Sequence, residues 1–359
     1  MSKHMRFALV LVTLAALVPA GWSRPAFGAS GRHTAAQVGA GRVALLLPEQ
    51  FTGRWVKDAA YFQAKLRQLD PAAVVSVSNA NANANLQLSQ ANAALSAGAK
   101  VLVIGSVDQN AAAPIVARAA RAGAQVIAYD RAIQSPMLRY YDSFDGLAVG
   151  RLQGRWLANH VSRGGTIVVI NGSQTDDNAH LFNQGYMSVL RPAFRAGTFR
   201  NGGEYWTDQW LPARAGVEMA NALTRNRNNV AGVLSANDGM AAAIVAQLRR
   251  VGKAGLPVTG QDAQPDALGR IIAGTQGMSV YKPLYREANA AAIATNALLR
   301  GRPVPNFNQM YRTKVTTVHA AIFAPVLITR NNVNMVVRDG FATWAQVCAG
   351  IGPARPLCR

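Results

Sequence analysis

From residue 43 onward the chain alternates short apolar or β-branched runs with longer amphipathic segments of helical length. The spacing predicts strands at 43–47, 74–77, 101–104, 125–129, 166–170, 230–234, 257–260 and 278–281, with a helix between nearly every pair. A parallel strand pair needs a crossover of a dozen or more residues, and each face of the sheet must be covered, so this alternation predicts an α/β fold with helices on both faces of parallel sheets. In the segment 55–69, Trp55, Ala59, Phe62 and Leu66 recur at three and four residues and form one stripe, with Lys57, Lys65 and Arg67 largely off it. That helix stops at Asp70-Pro71. The next, 86–97, ends at Gly98 and the third at Gly123, where a positive φ commonly closes a helix.

The tract 79–85 alternates Asn and Ala and reads as a connector. After Gly301 the helical pattern fades into a Pro- and Asn-containing stretch, followed by an apolar run at 322–328 and a Cys-bearing tail. No repeat of solenoid period is present. A chain of 359 residues, half of them hydrophobic, is long enough for two domains.

The first 28 residues change the picture of where the protein works. Lys3 and Arg6 precede an apolar run at 7–18, and Ala26-Phe27-Gly28 offers small residues for cleavage after Gly28, so 1–28 reads as an export signal. No later stretch approaches eighteen uninterrupted apolar residues, so the mature protein is expected to be soluble. Cys348 and Cys358 lie too far from the leader for lipid attachment. In an oxidising compartment they are able to close a C-terminal loop, the alternative being two free thiols. The net charge is +20, with Lys3, Arg6 and Arg24 in the leader, but the charges are dispersed singly. Dispersed Arg predicts a solvated surface and no nucleic-acid partner. A helix-turn-helix before the first strand, as a transcription regulator would carry, is also missing from 2–42.

Ligands of open α/β sheets bind beyond the carboxyl ends of the strands, so candidate chemistry is sought there. Asp130-Arg131 follow 125–129; Asn171-Gly172-Ser173 and Asp176-Asp177-Asn178 follow 166–170; Asn237-Asp238 follow 230–234; Gln261-Asp262 follow 257–260; Lys282-Pro283 follow 278–281. A pyranose presents hydroxyls that both donate and accept, and flat C–H faces. Asp130 and Asp262 accept from hydroxyls, Arg131 and Lys282 donate charge-assisted bonds, Asn178 and Asn237 do both, and Trp55 and Trp210 offer stacking faces. Each has a plainer alternative: the two Asp as helix N-caps, Trp55 as core, the cations as exposed strand-end charges. Their joint occurrence at five strand ends favours a site. Enzyme motifs are absent: there is no Gly-x-Ser-x-Gly elbow, His-Glu-x-x-His pair or phosphate-binding Gly-Lys loop, and Gly39-x-Gly41 precedes the first strand. The five His lack metal-ligand spacing. A glycosidase pair of Asp flanked by Arg131 and Lys282 would be held ionised and make a poor general acid. No catalytic residue, metal or cofactor is expected.

Read in order, these segments resemble the D-xylose-binding proteins of bacterial ABC transporters, within the ribose-binding type of periplasmic receptor. The resemblance runs through Arg54-Trp55-x-Lys57-Asp58, Ala128-Tyr129-Asp130-Arg131, Ser143-Phe144-Asp145 and Gly172-Ser173-x-x-Asp176-x-Asn178-Ala179-x-Leu181-Phe182. It continues through Gln209-Trp210-Leu211-Pro212, Ser235-Ala236-Asn237-Asp238, Gly260-Gln261-Asp262-Ala263, Val280-Tyr281-Lys282-Pro283 and Arg338-Asp339-Gly340-Phe341. It implies a type I periplasmic binding protein with two Rossmann-like lobes joined by a three-strand hinge. The lobes would be 41–147 plus 280–318 and 148–279 plus 319–345, followed by a tail, 346–359. It also implies sugar contacts from Arg54, Trp55, Asp130, Arg131, Asn178, Trp210, Asn237, Asp262 and Lys282, the last at a crossover.

The function implied is that of a monomeric periplasmic receptor that closes on a free monosaccharide, D-xylose, and delivers it to an ABC permease of the inner membrane. Another aldose, or a sensing role with a chemotaxis or histidine-kinase partner, is the alternative. Three features depart from the family: Gly146 stands in place of Asn, Gly53 in place of an acid, and the two Cys lie beyond the usual end. Gly146 is expected to loosen the helix that it begins.

Overall fold

The computed structural model describes residues 41–50, 52–351 and 358; the leader expected at 1–28 lies outside them. Twelve strands are described: β1 Arg42–Leu47, β2 Val74–Asn79, β3 Val101–Ile104, β4 Gln125–Tyr129, β5 Tyr140–Phe144, β6 Thr166–Asn171, β7 Arg200–Trp206, β8 Gly232–Ser235, β9 Ser279–Tyr281, β10 Gln309–Arg312, β11 Thr317–Phe323 and β12 Val326–Ile328. The α-helices are α1 Trp55–Leu69, α2 Ala84–Ser96, α3 Ala113–Arg121, α4 Gly146–His160, α5 Asp177–Arg195, α6 Pro212–Arg225, α7 Asp238–Arg250, α8 Pro265–Ala273, α9 Leu284–Leu299, α10 Val333–Arg338 and α11 Trp344–Cys348.

They build an α/β protein of two lobes. The first contains a seven-stranded sheet in the order β10-β11-β5-β4-β3-β1-β2, parallel except for β10 against β11. The second contains the parallel sheet β7-β6-β8. A short antiparallel ribbon, β9 with β12, joins the set. The central strands β3 and β6 are buried at every position, which explains their continuous apolar runs; a strand covered on both faces has no reason to alternate. Helix α1 has the bounds its stripe predicts and buries Trp55, Ala59, Phe62 and Leu66.

Several elements differ from the expectation. The segment 257–260 makes only one isolated bridge, Val258 with Val233, its ends being Pro257, which has no N–H, and Gly260. Strands β5, β7, β10 and β11 had no clear strand pattern; β7 is an edge strand containing Gly202 and Gly203, largely outside the core. The apolar run 322–328 is cut at Ala324-Pro325, ending β11 and starting β12 in a different pairing. The lobe boundary expected at 318–319 thus falls inside β11, which pairs with β5 from His319 to Phe323. We therefore place the third crossover at 324–325, and the first at the cap of α4, Asp145.

Gly146 has a packing role that the sequence reading did not consider. Asp145 caps α4 by accepting from the Ala148 N–H at 2.9 Å, and the glycine lets α5 approach. A Cβ on Gly146 would lie 2.9 Å from Leu181 Cβ. One turn on, a Cβ on Gly150 would lie 2.1 Å from the Phe182 carbonyl oxygen and 2.9 Å from Gly185 Cα, and one on Gly154 would lie 2.9 Å from Tyr186 Cα. Three glycines at four-residue spacing make one smooth face, and two helix backbones meet there. At the C-terminal end a disulfide joins Cys348 to Cys358, and α11 lies against α8, where a Cβ on Gly269 would sit 2.7 Å from the Val347 carbonyl oxygen.

Candidate functional site

The nine residues singled out in the sequence line one cleft between the lobes, together with Thr52, Asp176, Phe182 and Gln261. Its empty volume, counting the space open to solvent, is about 280 Å³. Arg54 and Trp55 open α1, Asp130 and Arg131 follow β4, Asn178 lies in the first turn of α5, and Asn237 caps α7. Trp210 ends a single 3-10 turn, Asp208–Trp210, and Lys282 follows β9.

Neither carboxylate is a helix cap. Asp130 and Asp262 sit in left-handed backbone conformation, φ 58° and 95°, which an Asp tolerates better than most residues. Asp130 is held there by its neighbours: its N–H donates to the Asp142 carbonyl at 2.7 Å. Its own carbonyl accepts from Tyr141 Oη at 3.0 Å and Ser143 Oγ at 2.8 Å. The Asp262 N–H donates to the Val280 carbonyl at 2.8 Å. Such conformations persist where the surroundings over-determine them. Asn237, by contrast, is a cap, its oxygen accepting from the Met240 N–H at 2.9 Å.

Lys282 Nζ stands between the two carboxylates, 3.5 Å from Asp130 Oδ1 and 3.3 Å from Asp262 Oδ1. Asn178 reaches from the second lobe to donate to the Asp130 carbonyl at 3.0 Å and to Asp130 Oδ2 at 3.2 Å. Arg54 pairs with Asp130, with Asp58 at 2.9 Å and with Glu287 Oε2 at 2.6 Å, all of them buried. Burial pushes the Asp130 carboxyl up, but Arg54, then Lys282 and Arg131, outweigh it and hold it below the ordinary range. The site therefore keeps Asp130 ionised, a good acceptor for hydroxyls and a poor proton donor. Burial moves Glu287 and Asp142 the other way, well above the carboxylate range.

Both indoles rest on glycines. A Cβ on Gly105 would lie 3.1 Å from the Trp55 ring, and one on Gly172 2.1 Å from the Trp210 ring. Trp55 is both core and cleft wall, 2 % exposed, so its place on the apolar stripe and its place in the site are compatible. Arg54 and Arg131 lie over its ring at 4.7 and 5.3 Å.

The sequence reading did not name Glu49 or Glu287, and it carried Asp58 and Phe182 only as motif positions with no role in the site. Applying the strand-end rule to β1 would have reached Glu49, and Asp58 follows Arg54 by one helical turn, the spacing of an ion pair. Glu287 carries no local signal: it is an acid in an Ala-rich helix whose partner, Arg54, is distant in sequence. Among the described residues no group of His, Cys, Asp and Glu is arranged to hold a metal ion, and no helix is long and apolar enough to cross a membrane.

The profile described as "Periplasmic binding protein domain" matches residues 43–303. The chain is 35% identical over 290 residues to the D-xylose-binding periplasmic protein of Escherichia coli (strain K12), covering 80% of this chain and 87% of that one. To the D-xylose-binding periplasmic protein of Haemophilus influenzae it is 34% identical over 304 residues, covering 84% and 90%. Among solved structures, the carbohydrate transporter solute binding protein from Chloroflexus aurantiacus, in complex with D-glucose, superposes with a TM-score of 0.79 at 28% identity, covering 85% of this chain and 97% of that one.

Proposed function

This chain belongs to the periplasmic binding protein family, a family of binding proteins rather than enzymes, and from that premise we propose that it is the exported sugar-capturing component of an ABC transporter, with D-xylose as its preferred ligand. The observation that carries the reading is the convergence of two carboxylates from different lobes on one ammonium: Asp130 and Asp262 both face Lys282 in a cleft walled by Trp55 and Trp210. A hydroxyl ring entering that cleft finds acceptors at Asp130 and Asp262, donors at Arg54, Arg131 and Lys282, amides at Asn178 and Asn237, and an aromatic face on each lobe. Because the polar groups are divided between lobes, only the closed arrangement offers them all, and ligand shifts the hinge equilibrium toward it. The closed form is then what an inner-membrane permease accepts, the protein acting as a periplasmic monomer.

D-xylose is preferred because two relatives named for it share about a third of this sequence over most of their length; a structural neighbour holding D-glucose makes hexoses the alternative ligands. A dissociation constant on the order of 1 μM, equivalent to about −8 kcal/mol, is within reach of several charge-assisted bonds after ordering costs. Calorimetric titration with D-xylose, D-ribose, L-arabinose, D-glucose and D-galactose tests the reading. Tightest binding of D-xylose supports it, tighter binding of another of these sugars reassigns the ligand, and heat from none of them ends it.

A further inference from the structure

We propose that Glu49 and Asp176 are positioning residues that set the two indole walls of the cleft, and that Arg131, shared between them, locks both settings together when the lobes meet. The proposal rests on the sugar-binding reading above and extends it to residues that touch the rings rather than define the hydroxyl contacts.

Each indole N–H is pinned by a carboxylate. Trp55 Nε1 donates to Glu49 Oε1 at 2.6 Å within the first lobe. Trp210 Nε1 donates to Asp176 Oδ2 at 3.1 Å within the second. Both carboxylates also meet Arg131: Nη2 lies 3.5 Å from Glu49 Oε1 and Nε lies 2.9 Å from Asp176 Oδ2. All five residues are buried, with Glu49 at 2 % exposure and Asp176 at 3 %. A chain of contacts therefore runs Trp55, Glu49, Arg131, Asp176, Trp210, from one wall of the cleft to the other. Only the Arg131–Asp176 step crosses between lobes.

An indole is free to slide or tilt within its plane unless its one polar atom is fixed, and stacking on a pyranose face depends on that setting. Here the ring position is fixed from behind by the glycines at 105 and 172 and from the side by the carboxylates. The remaining oxygens of both carboxylates are also committed. Glu49 Oε2 accepts from the Thr52 N–H at 2.9 Å, and Asp176 Oδ1 accepts from the Asn178 N–H at 3.0 Å, capping α5. An amide in either place has only one accepting oxygen, so it cannot serve both the backbone and the indole. Each pin needs a carboxylate.

The same geometry explains a cost. Burial pushes the Asp176 carboxyl upward, with the Arg131 guanidinium of the other lobe opposing. Separation of the lobes removes that partner and rehydrates the carboxylate; the Trp210 bond, within one lobe, stays, and only the Arg131 link between the two pins belongs to the closed form alone.

The experiment compares wild type, Asp176→Asn, Trp210→Phe and the double variant by calorimetry with the best-binding monosaccharide, together with the indole N–H resonances of the 15N-labelled protein. In wild type the two pinned indole protons should lie downfield and exchange slowly with water. Asp176→Asn should weaken binding about tenfold or more and release the Trp210 proton, leaving that of Trp55 in place. Trp210→Phe keeps a ring but has no N–H to pin, so adding Asp176→Asn to it should cost much less than in wild type. Equal losses in both backgrounds, or an unchanged Trp210 proton in Asp176→Asn, would overturn the proposal. If Trp210→Phe abolishes binding, the proton resonances alone decide. Glu49→Gln should release the Trp55 proton in the same way. Absence of sugar binding by wild type would end the functional reading, and this inference with it; normal binding by wild type and by Asp176→Asn alike ends the inference alone.

Discussion

Asn178 and Asp130 meet across the cleft, the amide of one donating at once to the carbonyl and the carboxylate of the other, at 3.0 and 3.2 Å. The contact joins the first turn of α5 to the loop after β4, so two residues 48 positions apart in sequence become a single bond between lobes. Asn178→Ala removes both donations and leaves a left-handed Asp130 less constrained. We expect monosaccharide affinity to fall about tenfold, with the unliganded midpoint of thermal unfolding nearly unchanged, measured by calorimetry and scanning fluorimetry.

Asp262 should be the more sensitive position. The residue lines the cleft, and its Oδ1 lies 3.3 Å from Lys282 Nζ and accepts no hydrogen bond from the described residues. Asp262→Ala withdraws an acceptor and leaves Lys282 with Asp130 alone in a buried place. The expected loss of affinity is about a hundredfold or more. Unchanged affinity would place the ligand elsewhere.

How much of this was legible in the sequence depends on the range of each signal. The stripe of Trp55, Ala59, Phe62 and Leu66 is local, and α1 has the bounds it predicts. The run 101–104 is β-branched or apolar throughout because β3 is covered on both faces. Strand β7 was invisible because an edge strand with Gly202 and Gly203 need bury little. In the site, the strand-end rule reached Asp130, Arg131, Asn178, Asn237, Asp262 and Lys282, the need for stacking faces added Trp55 and Trp210, and the family resemblance added Arg54; all nine line one cleft. Glu287 stayed hidden because its meaning comes from Arg54, 233 positions away, and the close approach of Leu181 to Gly146 leaves no local sign in the sequence. Local pattern shows elements; partners distant in sequence show why a particular residue stands there.

The glycine face of α4 gives a stability prediction. A methyl on Gly150 would sit 2.1 Å from the Phe182 carbonyl oxygen, backbone that has no flexible end to yield. Gly150→Ala should cost about 3 kcal/mol in a denaturant titration. It should also weaken sugar binding, since Phe182 lines the cleft. Gly216→Ala is the control: its nearest neighbours would lie at 3.6 Å, ordinary contact, and helix α6 should gain slightly.

The bond between Cys348 and Cys358 starts from α11, which packs on α8, and neither cysteine lines the cleft. Ellman titration of unreduced, denatured protein should find no thiol, and two after reduction. Reduction should leave monosaccharide affinity within about twofold, because neither cysteine is among the residues that line the cleft. Two thiols in the unreduced protein would refute the bridge.

Asp238 gives the pH dependence. It is buried, with Oδ1 accepting from Gln276 Nε2 at 2.7 Å and Oδ2 from Ser279 Oγ at 2.7 Å and the Gln264 N–H at 3.0 Å. Burial nevertheless wins over these donors and over Arg270, and its carboxyl is pushed up to about 7 from 3.8. The folded state therefore holds this proton over a range in which the unfolded chain has lost it. A raised acid stabilises the fold fully at low pH, and that contribution declines as pH rises from about 4 to about 7, by about 1.4 kcal/mol per pH unit. Asp238→Asn has no proton to lose. The stability of wild type relative to Asp238→Asn should thus fall through that window and level off above it, whatever constant offset the amide brings. A difference that stays flat from pH 4 to 7 would mean that the three donors keep the carboxylate ionised throughout. The same carboxylate holds the Gln264 N–H two residues beyond Asp262, so proton loss there bears on the loop that carries a cleft acid.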